Sequence, residues 1–209
     1  MSSDDVVVGG WDGDSIGETR SDLSTGGATG PRRRASTVRV RVSDNRRLDE
    51  RRLRAALTQL VRAVNVLHQR GLLHLDIKPS NIIVGPGGRL VLLDFGLVRS
   101  SRAGESDMKM TLGTPAYMAP EQAAGEPVGS AADWYAVGGV LYRALTGELP
   151  FTGGAADVML AKQLDAAVHP RTLAPDVPED LANLAADLLC TDPSGRPSGR
   201  EVWARLGQQ

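Results

Sequence analysis

A mainly α-helical domain of the α+β class, with one small β-hairpin, is what this 209-residue sequence predicts. Three observations carry the expectation. Leu53, Leu57, Leu60, Val61, Val64 and Leu67 recur at helical spacing between Asp49 and Gly71. Ile82-Ile83-Val84 and Leu90-Val91-Leu92-Leu93 flank a Gly-Pro-Gly-Gly turn at 85–88. Beyond residue 130 the apolar positions again follow a helical period up to the C-terminus.

In chain order, residues 1–37 are dense in Gly, Ser, Asp and Thr, with only Val6-Val7-Val8 able to begin a strand. Such a stretch buries too little apolar area to offset its ordering entropy, so disorder is expected. Arg32-Arg33-Arg34-Ala35-Ser36 reads as a solvated basic linker rather than a modification site. Val38, Val40 and Val42 alternate with Arg39 and Arg41, a short strand pattern. Asp49 can cap the long amphipathic helix that ends at Gly71, with its arginines outward. Leu72 to Asn81 is a loop, and the hairpin follows. Leu97 to Met118 has no period and reads as a long mobile loop whose serines solubilise it. Ser130-Ala131-Ala132-Asp133 looks like a capping box opening an apolar helix to Thr146, closed by Gly147 and buried at the centre. Shorter helices are expected at 155–164, 179–190 and 199–207, the last opened by a Ser198/Glu201 capping box.

Composition removes several function classes. Apolar residues make up 41% and aromatics 4%, so the core is aliphatic. A net charge of −1 gives no electrostatic footprint for nucleic acid or anionic membrane. No apolar run approaches the ~20 residues of a membrane span. The acidic start Met1-Ser2-Ser3-Asp4-Asp5 lacks an apolar signal region, so a cytoplasmic protein is expected. Cys190 stands alone, which excludes an internal disulfide or a cysteine-rich zinc site. It reads as a buried small apolar residue. His68 and His169 fit no motif and are assigned to surface or packing.

The chemistry is concentrated in two places. His74-Leu75-Asp76-Ile77-Lys78-Pro79-Ser80-Asn81 is followed thirteen residues after Asn81 by Asp94-Phe95-Gly96. The two segments leave the open ends of one hairpin, so they are close in space. They bring together a carboxylate, an ammonium, a carboxamide and a second carboxylate. Phosphoryl transfer from a nucleotide needs that set: a base at the acceptor hydroxyl, a cation on the phosphoryl group and oxygen ligands for magnesium.

These residues resemble the C-terminal lobe of a bacterial, eukaryotic-like protein serine/threonine kinase. The likeness runs from about Val42 to the end and rests on further motifs: Gly113-Thr114-Pro115-Ala116-Tyr117-Met118-Ala119-Pro120-Glu121, Asp133-Trp134-Tyr135-Ala136-Val137-Gly138 and Asp192-Pro193-Ser194-Gly195-Arg196-Pro197. The resemblance implies ATP and Mg2+ as cofactors and a protein Ser or Thr as acceptor. Asp76 would take or orient the acceptor proton. Lys78 would neutralise the γ-phosphoryl, and its place two residues after Asp76 points to Ser/Thr rather than Tyr specificity. Asn81 and Asp94 would hold magnesium, and Ile83 would lie under the adenine. Thr114 would bond to Asp76 and Lys78 and help place the acceptor. His74, Phe95 and Asp133 would belong to an internal column, and Glu121 and Arg196 would form a buried structural pair.

The sequence departs from the family in two ways. A full kinase carries an N-terminal lobe that needs at least ~60 residues. Only 48 residues precede Asp49, Gly9-Gly10-Trp11-Asp12-Gly13 fails the Gly-x-Gly-x-x-Gly spacing, and no lysine precedes Lys78. Residues 38–209 are therefore expected to be a kinase C-lobe without its N-lobe, impaired in phosphoryl transfer. The alternatives are a catalytically inactive, pseudokinase-like binding module and a gene-fragment remnant. A small-molecule phosphotransferase shares the His-x-Asp…Asn pattern but lacks the segment through Glu121. The face toward the missing lobe should show an apolar patch near Ile83, Leu92 and Phe95, open to aggregation or to a covering protein partner. The second departure is Leu75, where the family usually has an arginine that grips a phosphate on the activation loop.

Overall fold

The computed structural model describes residues 48–93, 99–100 and 114–207. The expectations for residues 1–37, for a strand at Val38–Val42, for Asp94 and Phe95 and for most of the 97–118 segment lie outside the described residues.

Helix α1 (Glu50–Gln69) starts where Asp49 accepts the Arg52 N–H at 3.0 Å, the predicted cap. Its apolar stripe buries Leu57, Leu60, Val61, Val64 and Leu67, and Arg51, Arg52 and Arg62 face solvent. Gly71, at φ 69°, ends it. Strand β1 (Leu72–Leu73) pairs antiparallel with β4 (Arg99–Ser100), so the segment expected to be wholly a loop begins with a short ladder. The hairpin forms in the expected place: β2 (Ile82–Val84) pairs with β3 (Leu90–Leu92), Ile82 opposite Leu92. Period-two alternation sends Leu90 and Leu92 into the core and leaves Ile83 and Leu93 outward. Leu92 is thus buried and does not belong to the expected apolar patch; Leu93 takes its place beside Ile83.

The remaining helices are α2 (Pro120–Ala124), α3 (Ser130–Thr146), α4 (Ala155–Leu164), α5 (Pro170–Leu173), α6 (Glu179–Leu188) and α7 (Gly199–Leu206). α3 is the buried centre, with Trp134, Tyr135, Val137, Leu141 and Tyr142 each at most 2% exposed. It packs most extensively on α6, and a Cβ at Gly138 would stand 2.7 Å from Leu188 Cβ, so only glycine permits that approach. Gly199 plays the same part where α7 meets α1: a Cβ there would sit 2.0 Å from Asn65 Oδ1. The Ser198/Glu201 capping box forms as expected, Glu201 accepting the Ser198 N–H at 2.8 Å.

Two expectations change. Gly129, not Ser130, is the N-cap of α3, and Asp133 does not cap it. The Asp133 carboxylate turns to the loop after β1, where two buried N–H groups need an acceptor. α6 ends at Leu188, so Cys190 lies in the following turn and is only half-buried. The short helices α2 and α5 carry too few periodic positions to be read in advance.

Candidate active site

The hairpin base positions the chemistry. Asn81 accepts the Leu93 N–H on its carbonyl at 2.8 Å, so the end of one motif lies against the residue preceding Asp94. Asp94 itself lies outside the described residues. Within the 74–81 loop, Asp76 Oδ2 meets Lys78 Nζ at 2.6 Å. Asn81 Nδ2 donates to the same Oδ2 at 3.0 Å and to the Asp76 carbonyl at 2.9 Å. Both Asn81 partners are acceptors, which fixes its amide orientation and turns Oδ1 away from them. Oδ1 is a neutral hard oxygen, the donor type magnesium selects, so Asn81 fits the role of a metal ligand. Asp76 and Lys78 keep 10% and 22% of their side-chain surface, enough for a substrate to reach them.

The loop is held from beneath. Asp133 Oδ2 accepts the His74 N–H at 2.9 Å and Oδ1 the Leu75 N–H at 2.7 Å. His68 Nε2 reaches the same carboxylate at 2.8 Å, its ring edge-on to Trp134. His74 is fully buried; its Nδ1 accepts the Asp76 N–H at 3.3 Å and its Nε2 donates to the Leu93 carbonyl at 3.2 Å, a pattern that puts the proton on Nε2. These bonds hold Leu75 at φ 61°, a conformation a branched side chain adopts only under such constraint. Its carbonyl accepts from Gln122 Nε2 at 3.4 Å, while Gln122 Oε1 accepts the Ala119 N–H at 3.2 Å.

The segment from Thr114 to Glu121 lies alongside. Glu121 and Arg196 form the expected buried bidentate pair at 2.7 and 2.8 Å. Arg196 also donates to the carbonyls of Cys190, Thr191 and Ala131, which uses all five of its N–H groups. Thr114 is exposed, and its carbonyl accepts from Tyr117 and Met118. The bond from Thr114 to Asp76 and Lys78 that the resemblance implied is not formed among the described residues, where Asp76 Oδ2 meets Lys78 and Asn81. Ile83, 42% exposed, presents an apolar surface on the outward face of the hairpin.

Sequence reasoning missed three contributors. It puts His68 at the surface or in packing, yet this residue ties α1 to Asp133. The signal was its place on the buried stripe, seven residues after Val61 and four after Val64. Gln122 and Lys162 gave no signal for these cross-links, since Leu75 lies 47 residues from Gln122, and Pro115 and Met118 lie 47 and 44 residues from Lys162.

A protein-family model described as "Protein kinase domain" matches residues 33–205. The chain is 38% identical over 148 residues to the DNA damage-responsive serine/threonine-protein kinase RqkA of Deinococcus radiodurans, covering 69% of this chain and 22% of that protein. It is 36% identical over 151 residues to the serine/threonine-protein kinase PknA of Mycobacterium tuberculosis, covering 72% of this chain and 35% of PknA. Against the serine/threonine-protein kinase PkaB of Streptomyces coelicolor it is 33% identical over 187 residues, covering 83% of this chain and 43% of PkaB. The chain thus spans less than half the length of these curated relatives. A match across most of the chain, joined to a loop that brings Asp76, Lys78 and Asn81 together, makes this chain a member of the protein kinase domain family.

Proposed function

We propose that this chain supplies the acceptor-side half of a protein serine/threonine kinase active site, directing the γ-phosphoryl group of ATP to a Ser or Thr hydroxyl of a protein. The observation that carries the reading is the convergence of Lys78 Nζ and Asn81 Nδ2 on Asp76 Oδ2, at 2.6 and 3.0 Å. That leaves Asp76 Oδ1 to receive the acceptor proton as the acceptor oxygen bonds to the γ-phosphorus and ADP departs. Lys78 lies where charge on the transferring group is neutralised. Asn81, together with Asp94, would hold magnesium, which when bound would offset the phosphate charge. Ile83 would pack under the adenine, and Thr114 would meet the acceptor. ATP lies in the cytoplasm, and the reading places the chain there; among the described residues no helix is long and apolar enough to cross a membrane.

One observation favours a second reading, a binding module without turnover: residues 1–77 contain no lysine to anchor the nucleotide phosphates. A charge-assisted hydrogen bond to the nucleotide contributes about 1.5–3 kcal/mol, and without that lysine the contribution is missing. In that reading the 209-residue chain alone shows no ATP binding by calorimetry at millimolar nucleotide, and a micromolar dissociation constant would refute it. The two readings separate in a transfer assay with radiolabelled ATP and a generic protein acceptor. Slow incorporation that Asp76→Asn abolishes supports the enzyme. Incorporation equal in both proteins, or absent from both, sinks it. In the second reading the outward face around Ile83 and Leu93 receives a protein partner.

A further inference from the structure

Lys162 is 1% exposed, the one buried lysine among the described residues. Its Nζ donates to the carbonyls of Pro115 and Met118, both at 2.6 Å. It stands 5.3 Å from the centroid of the Tyr135 ring, on which the Arg196 guanidinium also rests at 4.9 Å. Burial pushes its pKa down to about 8, with no opposite charge among the described residues to offset it. An apolar side chain would fill this place in α4 without the cost of desolvating an ammonium. Packing alone therefore does not explain a lysine here, whereas the two carbonyls do.

Those carbonyls bracket the turn at 115–117, which belongs to no helix or strand. Pro115 has no N–H to donate, so the turn has few bonds of its own. After it the chain is fixed by Gln122 and by the Glu121–Arg196 pair. Within it, the cross-links are Lys162 and the bond from Arg143 Nη1 to the Tyr117 hydroxyl at 3.2 Å. The turn opens at Thr114, the residue that would meet the acceptor.

We propose that Lys162 is a positioning residue for the phosphoryl acceptor: it clamps both carbonyl ends of the Pro115–Met118 turn to α4 and α3, so that the acceptor protein meets a preformed surface. The acceptor role rests on the kinase reading; the clamp does not. Exchange of the Tyr117 and Met118 amides, both bonded to the Thr114 carbonyl, reports the clamp directly. In the full chain, Lys162→Met should speed their exchange at least tenfold and leave Val137 and Leu141 in α3 unchanged. Lys162→Arg, which keeps a cation and its donors, should stay within about threefold of the parent. In the transfer assay Lys162→Met should raise the KM for acceptor about tenfold without changing the KM for nucleotide. Unchanged exchange at 117 and 118 overturns the clamp, and so does equal acceleration in α3, which would make Lys162 a general stability residue. A KM for acceptor unchanged in Lys162→Met overturns the positioning role. Absence of transfer by the parent chain refutes the kinase reading and the acceptor role with it, while the exchange result still upholds or overturns the clamp. Should Lys162→Met not fold, Lys162→Gln, a neutral donor of shorter reach, takes its place under the same criteria.

Discussion

Two ion pairs of similar length serve opposite ends. Asp76–Lys78, at 2.6 Å, lies at the surface edge with each partner holding groups in reserve. Glu121–Arg196, at 2.7 Å, is sealed, with side-chain exposures of 4% and 0% and every guanidinium N–H committed. Distance alone therefore does not separate chemistry from architecture. Spare hydrogen-bonding capacity within reach of solvent does: Asp76 keeps a free carboxylate oxygen, whereas Arg196 keeps nothing.

The sealed pair gives the largest effect. Arg196→Met strands the Glu121 carboxylate among Tyr135, Ala131 and the 190–196 loop, and should cost about 3–5 kcal/mol in urea unfolding. Adding Glu121→Gln should recover part of that loss, because it removes the stranded charge. A single-variant cost under about 1 kcal/mol would put the two pairs in one class and break the comparison. At the partly buried Asp76–Lys78 pair the expectation inverts. Asp76→Asn should lower transfer roughly 10²–10⁴-fold yet move stability by less than about 1 kcal/mol. A variant that loses both together would show that Asp76 holds the loop rather than the proton.

The comparison also marks what could be read from sequence. α1, the hairpin and the body of α3 were legible because the Asp49 cap, the turn and the periodicity are local properties. Asp76, Lys78 and Asn81 were legible because their spacing sets a loop of fixed reach. Ser130-x-x-Asp133 misled because the pattern does not say where the carboxylate goes; two buried N–H groups at His74 and Leu75 attracted it more strongly than the helix end did. The role of His68 depends on that same carboxylate, and so was hidden with it. Lys162 and Gln122 act on backbone carbonyls 44 and 47 residues distant, and backbone groups leave no trace in side-chain pattern.

Lys162 sharpens the contrast, since it is a buried cation with no carboxylate partner among the described residues. In the folded chain its pKa is about 8, whereas an unfolded chain gives a lysine about 10.4. Between those values the unfolded state binds more protons, so this residue makes stability rise with pH from about 8 to about 10. Below pH 8 both states are charged and the slope vanishes. Urea melts at pH 7, 8, 9 and 10 should thus show the parent chain gaining on Lys162→Met across the upper two steps only. A difference constant with pH would mean that the two carbonyl bonds hold the ammonium charged as firmly as water does.

The smallest expected effect concerns Leu75, the position where the resemblance calls for a phosphate-gripping arginine. Its side chain is 8% exposed within the apolar core, and its backbone is pinned by Asp133 on one side and Gln122 on the other. The loop shape that an arginine would otherwise stabilise through a phosphate is here set by apolar packing and a carboxylate that is always present. A charge added to the 97–118 segment then meets no guanidinium at position 75. Thr111 lies outside the described residues, so the expectation rests on Leu75 alone: Thr111→Glu should leave transfer within about twofold of the parent, since no Arg–carboxylate contact forms at this position. A rise of tenfold or more would show that another cation has taken over the arginine's part, and that packing at Leu75 does not by itself fix the 74–81 loop.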